Sequence, residues 1–152
     1  MSVDHRSIRL TRISKGHYRA ANPRGGTLDL GIGDEVDFSP VELLLVAVAG
    51  CSAADVDFIT ARRAEPVEFE VVASGRKVRD EQGNHLTDLQ VTFRLQFADD
   101  DAGQAAAAVL PRAVQQSHDR LCTVTRTVEI GTPVSATIVG VPPADPVEGD
   151  AG

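Results

Sequence analysis

The chain has no tryptophan, one tyrosine and one methionine, and aromatics make up only 4% of its 152 residues. Any core must therefore be aliphatic rather than built around large rings. Cysteine is scarce as well: there are two, Cys51 and Cys122, and no CxxC pair, which excludes the common zinc-ribbon and dithiol-motif frameworks. Long hydrophobic runs are missing. The longest, residues 43–51, falls far short of the roughly 20 residues of a membrane span, and the opening MSVDHRSIRL has no apolar signal core. There is no excess of positive charge; the net charge of −7 argues against nonspecific binding to nucleic acid or anionic membranes. No internal repeat is visible. These absences point to a cytoplasmic protein, and in that reducing compartment two cysteines serve packing or redox chemistry rather than a structural disulfide.

What is present is organised around residues 39–64, SPVELLLVAVAGCSAADVDFITARRA. Ser39 predicts an N-cap, Pro40 suits the first helical position, and Glu42 stands where a capping box needs it. No charge occurs over residues 43–49, so this half of the helix should be covered on all faces. After Cys51 the pattern opens, with Asp55, Asp57, Arg62 and Arg63 set among Val56, Phe58 and Ile59, and Pro66 ends the helix. So apolar a helix needs a great deal of surrounding protein, and a second chain is expected to supply part of it.

Residues 6–14 alternate in the manner of a strand, and residues 17–20 and 27–30 give two more short strands about the turn-rich stretch 22–26. Residues 31–38 form a loop. Residues 67–78 and 85–97 alternate, the latter with Leu89, Val91, Phe93, Leu95 and Phe97 on one face, and are expected to pair as a hairpin through residues 79–84. A second helix is predicted over residues 103–120, kinked or divided by Pro111, with Cys122 at its end. Residues 127–139 predict one or two final short strands, broken at residues 131–133. Residues 141–152, with three prolines and three acids, read as a disordered tail. The expectation is one α+β domain over residues 1–140.

Only the fold can bring the two cysteines together. A free cysteine is often a small buried hydrophobe, so packing is one reading of both. His118, four residues before Cys122, would share a helix face with it. A Cys51, His118 and Cys122 set supplies only three metal ligands, and no metal or other cofactor is assigned. His5, His17 and His85 read as surface or turn residues.

The order of these pieces resembles the OsmC/Ohr family: Ser39-Pro40 with Glu42-Leu43-Leu44, then Ala49-Gly50-Cys51, then Ser117 with Cys122-Thr123-Val124. The resemblance extends over residues 12–139. It implies an intertwined homodimer in which two central helices pack against antiparallel β-sheets, with the active site between the chains. It also implies a thiol-dependent peroxidase, an oxidoreductase acting on organic hydroperoxides in the oxidative stress response. Cys51 would be the peroxidatic cysteine and Cys122 the resolving one, reset by a dithiol reductant such as a lipoylated protein.

The chain departs from the peroxidase pattern at the groups that activate the thiol. The glutamate that directly follows the proline in those enzymes is Val41 here. Glu42 lies about half a helical turn out of phase with Cys51, and reads as a cap. Arg12, Arg19 and Arg24 are the candidate activating cations. Asp55, one turn beyond Cys51 on the same face, would raise the thiol pKa. The wording SPVELLL is nearer the OsmC-like branch. Two alternatives to the peroxidase therefore stand: a non-enzymatic dimer binding a small apolar ligand at its interface, and a cysteine redox sensor.

Overall fold

The computed structural model describes Met1 and residues 3–140. Five strands and three helices follow in the order β1 (Arg9–Ser14), β2 (His17–Ala21), β3 (Thr27–Leu30), α1 (Pro40–Thr60), β4 (Glu68–Asp80), β5 (Gly83–Gln96), α2 (Asp101–Gln116) and α3 (Thr123–Glu129). A π-helical turn over Ser117–Leu121 joins α2 to α3. This is the mixed architecture of helices and antiparallel sheets that the pattern predicts.

Helix α1 begins as its sequence requires. Ser39 Oγ accepts the Glu42 amide at 3.2 Å, and Glu42 Oε2 accepts the Ser39 amide at 2.7 Å. It ends before Pro66, where Thr60 Oγ1 bonds back to the Val56 carbonyl at 3.0 Å and the Arg63 and Ala64 amides fold onto the Thr60 carbonyl. Val48, Ser52, Val56 and Thr60, each four residues from the next, form its buried stripe. α1 packs against α2, α3 and β4. The rest of its apolar surface is not covered within the chain: Val41, Leu44 and Val46 are exposed, and Phe58 is 76% exposed. All 21 residues together are long and apolar enough to cross a membrane by length and composition, which the short run at residues 43–51 did not suggest. Asp55 and Asp57 lie within the helix, however, and its buried stripe rests on its own chain.

The first sheet has the antiparallel order β1-β2-β3. Asn22 Oδ1 closes the turn between β2 and β3 by accepting the Arg24 and Gly26 amides at 2.9 and 3.0 Å. This sheet packs scarcely at all on the helices, and every residue of β1 is exposed, Leu10 and Ile13 included. The second sheet is the hairpin β4-β5, paired from Glu68 opposite Gln96 to Asp80 opposite Gly83 with a shift of register between Ser74 and Arg76. Its turn is thus tighter than the sequence suggests. Gly83, at φ 98°, supplies the left-handed backbone that lets pairing continue through residues expected to be loop. Along β5, Val91, Phe93 and Leu95 are half-buried, while Thr92, Arg94 and Gln96 are exposed.

The C-terminal third departs from expectation. Pro111 does not divide α2, which runs through it, and the departure from α geometry comes later, at the π turn. No final strand forms among the described residues. Residues 123–129 are helix α3, and residues 132–139 carry no regular structure. Local bonds override the β-branched composition: the Cys122 side chain caps α3, Thr127 Oγ1 bonds the Thr123 carbonyl at 2.7 Å, and Arg126 pairs with Glu129 at 2.5 Å. The proposed tail, 141–152, lies outside the described residues.

Candidate functional site

The two cysteines come together where α1 meets the junction of the π turn and α3. Cys51 lies one position before the buried stripe of α1 and is half-buried. Asp55, one turn later, shares its flank. Cys122 ends the π turn, is the N-cap of α3, and is wholly buried. Cys51 Sγ, Cys122 Sγ and a carboxylate oxygen of Asp55 all lie within 4.8 Å of one another. Both cysteines are free thiols.

Hydrogen-bond donors distinguish the two sulfurs. Ser52 Oγ donates to Cys122 Sγ at 3.4 Å, the Thr125 amide donates to it at 3.3 Å, and Thr125 Oγ1 lies 3.2 Å away. Burial alone would push the Cys122 thiol up, but these donors and the Cys51 thiol outweigh it and hold Cys122 below the ordinary thiol range. The Cys51 thiol is pushed up. Burial is the leading cause; the Val124 amide opposes it, while Cys122 and Asp55 add to it. Cys51 therefore keeps its proton and shares it with its neighbour, and the two thiols titrate as a pair. Asp55 is held in turn by Ser117 Oγ, which donates to Oδ2 at 2.9 Å.

The candidate cations are elsewhere. Arg19 forms a two-point pair with Asp29 across β2 and β3, at 2.6 and 2.7 Å. Arg12 lies on exposed β1 and Arg24 in the β2–β3 turn, and the leading influences on the Cys51 thiol include no arginine among the described residues. Glu42 is occupied at the helix cap, where the Ser39 bonds hold its carboxyl below the ordinary range. His118 does not join the cysteines; its Nδ1 meets Asp119 at 2.9 Å and its Nε2 meets Glu129 at 3.0 Å.

Beside this cluster is a cavity of about 420 Å³. Val48, Leu89, Val91, Phe93, Val114 and Val128 give it mainly apolar walls, with His118, Asp119 and Glu129 among its polar lining residues. It reaches Ser52 and Thr125, which flank the Cys122 sulfur, but neither sulfur lines it.

Ser52 and Thr125 are residues that sequence reasoning missed, and Ser117, named there only as part of the motif, was given no contact with Asp55. Ser52 and Thr125 had a readable signal. Ser52 falls on a stripe of every fourth residue, and Thr125 stands three places after Cys122, the spacing of an N-cap and its partner. Ser117 reaches Asp55 only through the fold, and nothing in the sequence indicates that contact.

Comparison with known proteins agrees with this architecture. The family model described as OsmC-like protein matches residues 33–137. An uncharacterized protein of Mycobacterium tuberculosis strain H37Rv is 32% identical over 133 residues, covering 86% of this chain and 93% of its own. A hypothetical protein from Aquifex aeolicus has a crystal structure similar at a TM-score of 0.69 and 21% identity, covering 86% of this chain and 91% of its own. An OsmC-like protein of unknown function from Vibrio cholerae matches at 0.63 and 14% identity, covering 84% of this chain and 95% of its own. With two cysteines brought together on that scaffold, the chain belongs to the OsmC-like protein family.

Proposed function

We propose that the protein is a cysteine-based peroxidase of organic hydroperoxides, working as a cytoplasmic homodimer. The observation that carries this reading is the approach of the Cys51 and Cys122 sulfurs to within 4.8 Å, one half-exposed and the other sealed. Cys51 is the attacking group because an oxidant can reach it. Its proton passes to the Cys122 sulfur, where the Ser52 hydroxyl and the Thr125 amide, both donating to that sulfur, stabilise negative charge until the transfer. The Cys51 thiolate then attacks the distal peroxide oxygen. The O–O bond breaks, the alkoxide takes up a proton and leaves as alcohol, and Cys51 becomes a sulfenic acid. The Cys122 sulfur, having lost its proton to solvent, attacks that sulfur. Hydroxide departs as water and a disulfide remains. An external dithiol restores both thiols by exchange and is itself oxidised; a lipoylated protein has the required chemistry.

Association is supported by the exposed apolar face of α1 and by a β1–β3 sheet with scarcely any packing of its own. Val134, Ile138 and Val139, in the stretch without regular structure, add to the uncovered apolar surface.

The test is consumption of tert-butyl or cumene hydroperoxide in the presence of dihydrolipoamide. Wild type should turn over. Cys51→Ser should be inert, and Cys122→Ser should consume one peroxide per chain and stop at a sulfenic acid that a dimedone-type reagent traps. Equal consumption by wild type and Cys51→Ser would remove the enzymatic reading. The cavity favours a second reading, a binding module for a small apolar ligand. That module would take up an apolar fluorophore equally well with Cys51 replaced by serine, and would show no peroxide turnover.

A further inference from the structure

Cys51, Asp55 and Cys122 are gathered where α1 meets the π turn. Each is an anion when ionised, and their ligand atoms all lie within 4.8 Å of one another. In a tetrahedral zinc site, with bonds of about 2.3 Å to sulfur and 2.0–2.2 Å to oxygen, neighbouring ligand atoms stand roughly 3.5–3.8 Å apart. Small side-chain rotations would bring the three donors to that spacing. Two sulfurs and one oxygen suit zinc rather than magnesium or calcium, which take oxygen donors.

The surroundings are those of a supported site. Ser117 Oγ donates to Asp55 Oδ2 at 2.9 Å, fixing the carboxylate by one oxygen and leaving Oδ1 to coordinate. Ser52 Oγ and the Thr125 amide donate to the Cys122 sulfur. Such bonds orient a thiolate ligand and spread its charge. Cys51 and Asp55 come from successive turns of one rigid helix, and Cys122 from the π turn packed against it. Cys51 is half-exposed, so an ion has a way in.

We propose that Cys51, Asp55 and Cys122 bind a zinc ion, with its fourth position left to solvent or an external thiol. Binding forms two S–Zn bonds and one O–Zn bond in place of waters that leave the ion, and the protons still held by the two thiols pass to solvent; nothing is oxidised. His118, the histidine that the sequence placed beside Cys122, is not a ligand, because both its ring nitrogens already face carboxylates. Since the ion would occupy both thiols, zinc and peroxide would exclude one another. The site rests on the position of the three donors and not on the peroxidase reading.

The experiment is an anaerobic titration of the reduced, metal-free full chain with Co²⁺, followed by displacement with Zn²⁺. Wild type should take up one ion per chain, with the near-ultraviolet charge-transfer band of cobalt–thiolate bonds and visible bands of tetrahedral intensity. Asp55→Asn keeps a hydrogen-bond acceptor for Ser117 but removes the anionic ligand, and should weaken binding by at least about tenfold. His118→Ala should bind as wild type does. Circular dichroism and a count of free thiols establish that each variant is folded and reduced. The site is overturned if wild type shows no charge-transfer band, if Asp55→Asn binds with unchanged affinity, or if His118→Ala loses the ion. The two readings fail separately: peroxide turnover without a cobalt band removes only the zinc site, and a cobalt band without turnover removes only the peroxidase.

Discussion

The two sulfurs are chemically unequal because the donors around them are unequal. Burial, Cys122 and Asp55 push the Cys51 thiol up, so its thiolate accumulates only as pH rises beyond the ordinary thiol pKa of about 8.5. Alkylation of the folded protein by iodoacetamide should therefore be slower at neutral pH than in the denatured chain. It should keep climbing through the alkaline range and vanish in Cys51→Ser. A plateau near neutral pH would show instead that a cation from a second chain acts on the thiol. At the other sulfur, Ser52→Ala removes a hydroxyl donor to Cys122. The thiolate form of Cys122 loses support, so disulfide closure after one equivalent of peroxide should slow in stopped-flow measurements at neutral pH. The loss of one buried hydrogen bond should cost about 1 kcal/mol of stability.

At the scale of elements, α1 and its cap were legible because one local pattern fixes them: Ser39, Pro40 and Glu42 specify the start, and the apolar residues specify a helix. The strands β1 to β5 were legible for the same reason, although the alternation is visible as burial in β4 and over residues 91–96 of β5 and not in β1, which is exposed throughout. α3 was not. The β-branched run at residues 123–128 favours a strand on composition, and the bonds that make it helical start from a cysteine, an unusual cap. The meeting of Cys51 with Cys122 was foreseeable only through family likeness, since the bonds between α1 and the π turn link distant parts of the chain. One packing contact is particularly stringent. Gly103, in the first turn of α2, lies against the preceding backbone, and a Cβ there would stand 1.9 Å from the Ala98 carbonyl oxygen. Gly103→Ala should destabilise the protein by about 1–3 kcal/mol, because backbone rather than a flexible side chain must yield. Denaturant unfolding would measure it, with Gly50→Ala, where the added Cβ would meet open space, as the comparison.

Taken whole, the chain exposes 12115 Å², against roughly 7,400 Å² for a compact monomer of about 16 kDa. Residues 141–152 could account for at most about 1,600 Å² of that excess, even at the surface per dalton of an unfolded chain. The remaining excess includes Leu10, Ile13, Val46 and Phe58, apolar side chains on elements that otherwise follow their sequence pattern. Sedimentation should accordingly give twice the chain mass of 16.1 kDa, and Val46→Asp should shift the protein towards monomer or aggregate. A monomeric wild type at micromolar concentration would contradict the dimer. The scarcely packed β1–β3 sheet carries a kinetic consequence too. If its support is another molecule, that part of the chain cannot finish folding alone, and the last phase of refolding becomes a collision between two half-made partners. Its rate should then rise in proportion to how much protein is in the tube, and the melting temperature should have no single value until that amount is stated.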